Sequence, residues 1–476
     1  MSLEKSMGLI DRAASETLPI TPIAAEGFKD WLRGQSKETA AWIKGTGFTA
    51  AAGSHCLLPG RDGAPSAVLV GIDPRQGPWT YAALPHVLPE GRYSIDAELD
   101  AESASLAALG WALAGYRFTR YKANNQKLAQ LAWPKNADRK SVLRAAEAIA
   151  LVRDLVNTPA GDMGPGELAA AARTLARRHK AKASVVEGDD LLKKGYPAVH
   201  AVGRASVRLP RLIDLHWGGK GPRVTLVGKG VCFDSGGLDL KSASGMKLMK
   251  KDMGGAAHVL GLASMIMAAN LQLRLRVLIP AVENSVSGDA FRPGDTLATR
   301  KGLTVEVGNT DAEGRLILCD ALAEADSEKP DLIVDFATLT GAARVALGTE
   351  LPALFCNDDA TAEALLSHGL AQHDPVWRLP LHAPYRPLLD SQVADLNNIS
   401  DGPYAGAITA ALFLAEFVDP DTPWVHLDIM AWNLRAQPGR PQGGEAMGMR
   451  AVYALIAELA ERRAAKGKKG KGGKRN

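Results

Sequence analysis

The spacing of apolar and polar positions changes character along the chain. Up to about residue 135 it is mixed: a polar start, an apolar Ala67–Gly71 run with strand character, and a stretch from Ile72 to Gly91 punctuated by Gly and Pro. From Lys140, apolar residues recur at helical spacing through Val142, Leu143, Ala146, Ile149, Ala150 and Val152 to Leu155. The pattern stops at Asn157-Thr158-Pro159, because the residue before a proline resists helix. That helix reads as the link between two domains. Beyond it, apolar runs at 224–227, 275–282, 304–307, 332–336 and 425–429 alternate with helical segments such as 256–269 and 316–325. Alternation of this kind implies an α/β layer structure. Near-continuous apolar runs imply a central sheet covered by helices on both faces. In such sheets ligands gather at the carboxyl ends of the strands, so the polar residues after each run are the ones to examine.

Composition refines this picture. At 476 residues the chain has room for two or three domains, and 46% hydrophobic with 23% charged residues excludes a disordered, collagen-like or coiled-coil protein. The net charge is +4, but Arg462–Asn476 holds eight Lys or Arg and no acid, which leaves −4 on the rest. The basic balance therefore reports a Gly/Lys-rich tail, expected to be disordered, and any nucleic-acid contact is expected only there. The four cysteines show no CxxC and no paired spacing, which fits a reducing compartment. Charges at Glu4, Lys5, Asp11 and Arg12 argue against a secretory signal, and the uncharged 254–273 run is too diluted by Gly, Ala, Ser, His, Asn and Gln for a bilayer span. A cytoplasmic location with no membrane association is expected.

Three Gly-rich segments carry acids and bases: Val227–Gly237 continuing to Lys241, Met249–Ala256, and Asn309–Arg315. They supply four carboxylates, Asp234, Asp252, Asp311 and Glu313, beside Lys229, Lys241, Lys250, Lys251 and Arg315. Asp311 and Glu313 are two apart after a strand, and in extended backbone they would face one space. Like charges so placed either raise one pKa or take cations between them. Four carboxylates balance two divalent ions, as in hydrolytic sites with metals about 3.5 to 4 Å apart. The bland alternative is a set of capping and turn acids. The histidines offer no other centre: His258 falls on an apolar helix, His216 and His426 in strand-like runs, and no HExxH occurs. No phosphate loop, nucleophile elbow or dinucleotide fingerprint is found either.

The segments VGKGVCFDSGGLDLK, KKDMGGAA, NTDAEGRL and ATLTGA closely resemble the signature blocks of the leucyl aminopeptidase (cytosol aminopeptidase) family, over about residues 145 to 460. The resemblance implies a fold of two domains. These are a smaller N-terminal α/β domain, macro-like by analogy, over 1–138, and a larger catalytic domain over 139–461 with a mixed, mostly parallel central sheet flanked by helices, followed by the basic tail 462–476. It implies two divalent ions, Zn and/or Mn. Asp234 and Glu313 would bridge them, Lys229 and Asp252 would complete the tighter site, and Asp311 would serve the more exchangeable one. Lys241 is implied as the electrophile that stabilises the gem-diolate, and Arg315 as the holder of a bicarbonate acting as general base on a metal-bridging water. The Thr338-Leu339-Thr340-Gly341 turn would position substrate, with Met249 and Thr338 lining a first specificity pocket suited to Leu or Met. The substrates implied are peptides with a free N-terminus, and the assembly a homohexamer.

Met430-Ala-Trp-Asn433 departs from the small Gly-Thr-Ala stretch of relatives, so Trp432 is expected to reshape the pocket rim or a subunit contact. Two other readings stand beside this one: a two-metal phosphoesterase, which would share the carboxylates but needs no lysine ligand, and a non-catalytic nucleic-acid- or nucleotide-binding protein that uses the N-terminal domain or the basic tail.

Overall fold

The computed structural model describes residues 7–11 and 17–472. The chain divides into two compact units, one reaching Ala150 and including Arg435–Gln442, the other comprising Leu151–Leu434 and the residues from Gly443 on. The division falls inside the expected connecting helix, Arg139–Asn157.

The first unit is built on six strands, β1 (Leu9–Ile10), β2 (Leu18–Ala24), β3 (His55–Pro59), β4 (Pro65–Ile72), β5 (Arg92–Ile95) and β6 (Gln130–Ala132), in the order β1-β6-β5-β2-β4-β3. All neighbours are parallel except β3 with β4. The apolar Ala67–Gly71 run lies in β4, and the helix Ala101–Ala114 buries nine of its residues, including Trp111.

The second unit holds a nine-stranded sheet. Its strands are β7 (Lys182–Glu187), β8 (Arg211–Gly218), β9 (Arg223–Gly228), β10 (Gly230–Asp234), β11 (Arg274–Asn284), β14 (Leu332–Ala337), β15 (Ala353–Cys356), β16 (Trp377–Arg378) and β18 (Trp424–Asp428). A small separate sheet is formed by β12 (Thr296–Ala298), β13 (Thr304–Glu306) and β17 (Leu396–Asn397). In the large sheet the order is β16-β15-β18-β14-β9-β11-β8-β7, and β10 extends the ladder beside β11. The centre, β18-β14-β9-β11, is parallel, whereas β15 with β18, β8 with β11, and β7 with β8 are antiparallel.

Helices cover this sheet because its strands are apolar on both faces. Every residue of β14 is buried, as is every residue from Gly254 to Met267 in the helix Gly254–Ala268. A helix apolar all round must lie inside the fold. Its seat is close: a Cβ on Gly255 would stand 2.0 Å from the Phe336 carbonyl, so only glycine admits this approach. On the other face, Leu316, Leu318 and Leu322 of the helix Glu313–Ser327 join Val227, Leu278 and Ile333 in one core. The carboxyl ends of β9, β10, β14 and β18 thereby converge.

The end of the chain differs from expectation. The last helix runs Met449–Gly472, so most of the tail expected to be disordered continues a helix whose first turns are buried at Met449, Val452 and Ile456. Propagation from a formed helix costs far less than nucleation. Residues 473–476 lie outside the described residues.

Candidate metal centre

Lys229 stands between β9 and β10, where its backbone N–H donates to Phe336 O and its carbonyl accepts from Ala256 N. Its side chain runs inward to reach Asp252 at 2.8 Å and Glu313 at 2.9 Å. Space for it comes from Gly314, where a Cβ would lie 2.5 Å from Lys229 Cε. Asp234 ends β10, and after it Gly236 and Gly237 adopt φ of 90° and 67°, turning the chain back sharply. This return carries Lys241 to 2.9 Å from Asp234 and 2.5 Å from Asp311. Asp239 Oδ2 accepts from Thr310 N, tying the returning strap to the segment that bears Asp311.

Asp311 and Glu313 do not lie on extended backbone. Thr310–Ala312 forms a 3₁₀ turn capped by Asn309, whose Oδ1 accepts from Asp311 N, and Glu313 opens the following helix. The two side chains consequently separate. Glu313 is buried against Lys229, whereas Asp311 is partly exposed and meets Lys241. The expected i, i+2 alternation fails because the backbone turns into a 3₁₀ helix at Thr310, past the end of the strand at Glu306.

Among the described residues, Asp234, Asp252 and Glu313 bring carboxylate oxygens within 4.8 Å of one another, all buried, and Asp311 joins them through Lys241. Burial, with Asp252 next, raises the Asp234 carboxyl to about 6. Burial and then Asp234 raise Glu313 well above the usual range. Burial would raise Asp252 too, but Lys229 and Lys251 outweigh it and hold Asp252 low. Burial works against the charge on Lys229 and on Lys241, yet the surrounding carboxylates hold both ammonium groups above their ordinary values.

Four carboxylates against two lysines leave negative charge in excess. Glu313 Oε2 is buried with no hydrogen-bond partner among the described residues. A buried carboxylate oxygen without a donor is costly unless a cation takes it. Hard oxygen donors with one amine suit Zn, Mn, Mg or Co. The residues present therefore fit divalent ions.

The remaining candidates fall around this cluster. Arg315 is buried, donates to Asn398 O at 2.5 Å, and keeps an unpartnered Nε–H; burial lowers it to about 10. Met249 is buried in the 3₁₀ turn Met249–Met253 that carries Asp252. Thr338 is buried, and its hydroxyl donates to Asp252 Oδ1 at 2.7 Å, so it holds that carboxylate in place. Leu339 N donates to Asp428 Oδ1, and Gly341 is exposed at the start of the helix Gly341–Leu347. Trp432 lies under the Lys250 ammonium, 5.4 Å from its ring centroid.

Three contributors, Asp428, Asn284 and Asn398, escaped the sequence reading, and Lys251 was named there only as a basic candidate. Asp428 accepts from Leu339 N, Thr340 N and Thr340 Oγ1, fixing the whole turn. Asn284 Nδ2 donates to Asp234 Oδ1 at 2.9 Å. Asn398 accepts from Gly308 N and donates to Asn309 O. Lys251 is buried, and burial lowers it to about 8. Asp428 and Asn284 each end an apolar strand, the position singled out for other residues; Asn398 carries no such signal.

Residues 150–453 match the cytosol aminopeptidase family, catalytic domain. The chain belongs to the cytosol aminopeptidase family. That membership supports a metal-dependent aminopeptidase and does not favour the phosphoesterase or the non-catalytic binding protein. Residues 18–134 match the M17 aminopeptidase N-terminal domain, so the likeness extends into the region where the sequence motifs showed little. A crystal structure of the cytosol aminopeptidase from Coxiella burnetii is similar at 51% identity and TM-score 0.91, covering 96% of this chain and 99% of that one. A probable cytosol aminopeptidase of Caulobacter vibrioides is 37% identical over 94% of this chain and 98% of its own. The bottromycin maturation enzyme BotP, in complex with Mn, is similar at 35% identity and TM-score 0.84, covering 93% and 99%.

Proposed function

We propose that this chain removes single N-terminal residues from peptides with a free α-amine, using two divalent ions of the Zn or Mn type. The supporting observation is the set of three buried carboxylates converging on a buried lysine, with an acceptor oxygen left over. Asp234 and Glu313 would be shared between the ions, Lys229 and Asp252 would complete one position, and Asp311 the other. Such ions, when bound, polarise a carbonyl and lower the pKa of water.

The chain's own groups do the rest. As a cation Lys229 neutralises Asp252 and Glu313; to act as a ligand it must surrender its proton, which becomes favourable once other positive charge replaces its own. Thr338 and Asn284 hold Asp252 and Asp234 by donating to one oxygen of each, leaving the other oriented inward. Lys241, partly exposed beside Asp234 and Asp311, is placed to donate to an oxyanion developing at the scissile carbonyl. Arg315 offers its unpartnered Nε–H to a small anion such as bicarbonate, which would accept the proton released by water. The Leu339–Gly341 backbone, rigid through Asp428, positions the substrate's amine end, and the Met249 thioether suits a Leu- or Met-like first side chain.

Among the described residues no helix is long and apolar enough to cross a membrane. With the relatives' names, this supports a cytoplasmic location, and family analogy supports a homohexamer. Turnover of Leu-p-nitroanilide with added Mn or Zn tests the reading against p-nitrophenyl phosphate; hydrolysis of the phosphate alone would overturn it.

A further inference from the structure

The turn that would receive the substrate is bordered by a cation that nothing in the catalytic account uses. Arg344 lies one turn into the helix Gly341–Leu347, and its Nη2 reaches back to 3.6 Å from where a Cβ on Gly341 would stand. Glycine at this point leaves the guanidinium uncovered on the side of the turn. Arg344 is half-buried, yet among the described residues its guanidinium makes no hydrogen bond and no ion pair. The nearby carboxylate of Asp428 is taken up by Leu339 and Thr340. The buried ammonium of Lys251 feels Asp252 and Asp428 as opposite charges, whereas Arg344 repels it. Arg344 is thus the cation left without a counter-charge beside the turn that carries Gly341.

Holding a guanidinium partly out of water with no partner is unfavourable, and a ligand carboxylate would satisfy it through paired N–H donors. Resting on the aminopeptidase reading above, we infer that Arg344 is a specificity-determining residue that binds the side-chain carboxylate of an acidic N-terminal residue, so that peptides beginning with Glu or Asp are substrates beside those beginning with Leu or Met. The anion belongs to the first side chain because Gly341, under the guanidinium, lies on the same turn as the backbone assigned to the substrate's amine end.

The test uses the Mn- or Zn-loaded enzyme with Glu-, Asp-, Leu- and Ala-p-nitroanilide. These probes carry no C-terminal carboxylate, so any effect of charge comes from the side chain. The wild type should hydrolyse the Glu and Asp compounds. In Arg344→Leu the ratio of kcat/KM on Glu- over Leu-p-nitroanilide should fall about ten- to a hundredfold, the scale of one charge-assisted hydrogen bond, mainly through KM. Arg344→Lys should restore part of the ratio, and Arg344→Glu should favour Lys-p-nitroanilide instead. Hydrolysis of Leu- but neither Glu- nor Asp-p-nitroanilide by the wild type, or an unchanged ratio in Arg344→Leu, would overturn the assignment while leaving the aminopeptidase reading intact. Failure on all four compounds would instead overturn both.

Discussion

Thr338 donates its hydroxyl to Asp252 Oδ1 at 2.7 Å, so a residue just past β14 fixes a carboxylate carried by the turn ahead of the Gly254–Ala268 helix. Removing that donor should loosen Asp252 without touching its charge. Thr338→Val is expected to weaken divalent-metal affinity roughly 10- to 100-fold, the usual cost of losing a supporting hydrogen bond to a ligand. Thr338→Ser should retain most of it. Metal-titration calorimetry on the three proteins checks this, and equal affinities would show the bond to be incidental.

Asp252 and Lys241 should fail in different ways. Asp252→Ala is expected to lose metal and activity together, because Lys229 then faces one carboxylate fewer and the donor set is incomplete. Lys241→Ala should keep its metal while kcat falls by about 10² to 10³, the cost of one oxyanion donor. Metal content measured beside kcat separates the two outcomes, and a fully metallated, active Asp252→Ala would remove that residue from the centre.

Gly314 makes room for Lys229: an alanine Cβ would stand 2.5 Å from its Cε and 2.6 Å from its Nζ. Gly314→Ala should therefore displace the amine from Asp252 and Glu313 and reduce metal affinity, although alanine favours the helix that begins at Glu313. A circular dichroism spectrum like the wild type's, with metal affinity lowered, is the expected pair of results.

His258 gives a pH dependence that is separate from the metal centre. It is fully buried, donating from Nδ1 to Gly254 O at 2.7 Å and accepting from Met447 N at Nε2, 2.9 Å. Both contacts need the neutral ring, and burial pushes it down to about 4. The unfolded chain takes up this proton near pH 6.5, the folded one only near 4, so stability is whole above about 6.5 and declines as pH falls through that window. The slope from this residue reaches at most about 1.4 kcal/mol per pH unit. Denaturant midpoints between pH 7 and 4 should fall less steeply in His258→Asn than in the wild type; parallel curves would contradict the assignment.

The legible parts of this molecule were those with a simple period or a dense motif. The apolar runs at 224–227, 275–282 and 332–336 became β9, β11 and β14, because strands buried on both faces are apolar almost throughout, each run holding a single polar residue, Thr225, Arg276 or Asp335. The helix from Lys140 ended where Pro159 required. Lys229, Asp234, Asp252 and Glu313 were recognisable from their Gly-rich blocks, and the glycines prove to be where backbones approach or turn. Only the extended backbone expected between Asp311 and Glu313 is absent, for a local reason: Asn309 caps a 3₁₀ turn over Thr310–Ala312. Asn398 reaches the site only through tertiary packing, across 89 residues to Asn309, and no local spacing encodes it. The basic tail was read from composition alone, whereas the buried turns before Arg462 carry the helix onward to Gly472.

The central claim is that Lys229, Asp234, Asp252, Asp311 and Glu313 hold a pair of divalent ions. It is tested most directly by anomalous diffraction from crystals grown with Mn. Two peaks about 3.5 to 4 Å apart, both within bonding distance of Asp234 and Glu313, are the predicted result. A map with no peak among these five side chains, from protein that hydrolyses Leu-p-nitroanilide, would contradict it.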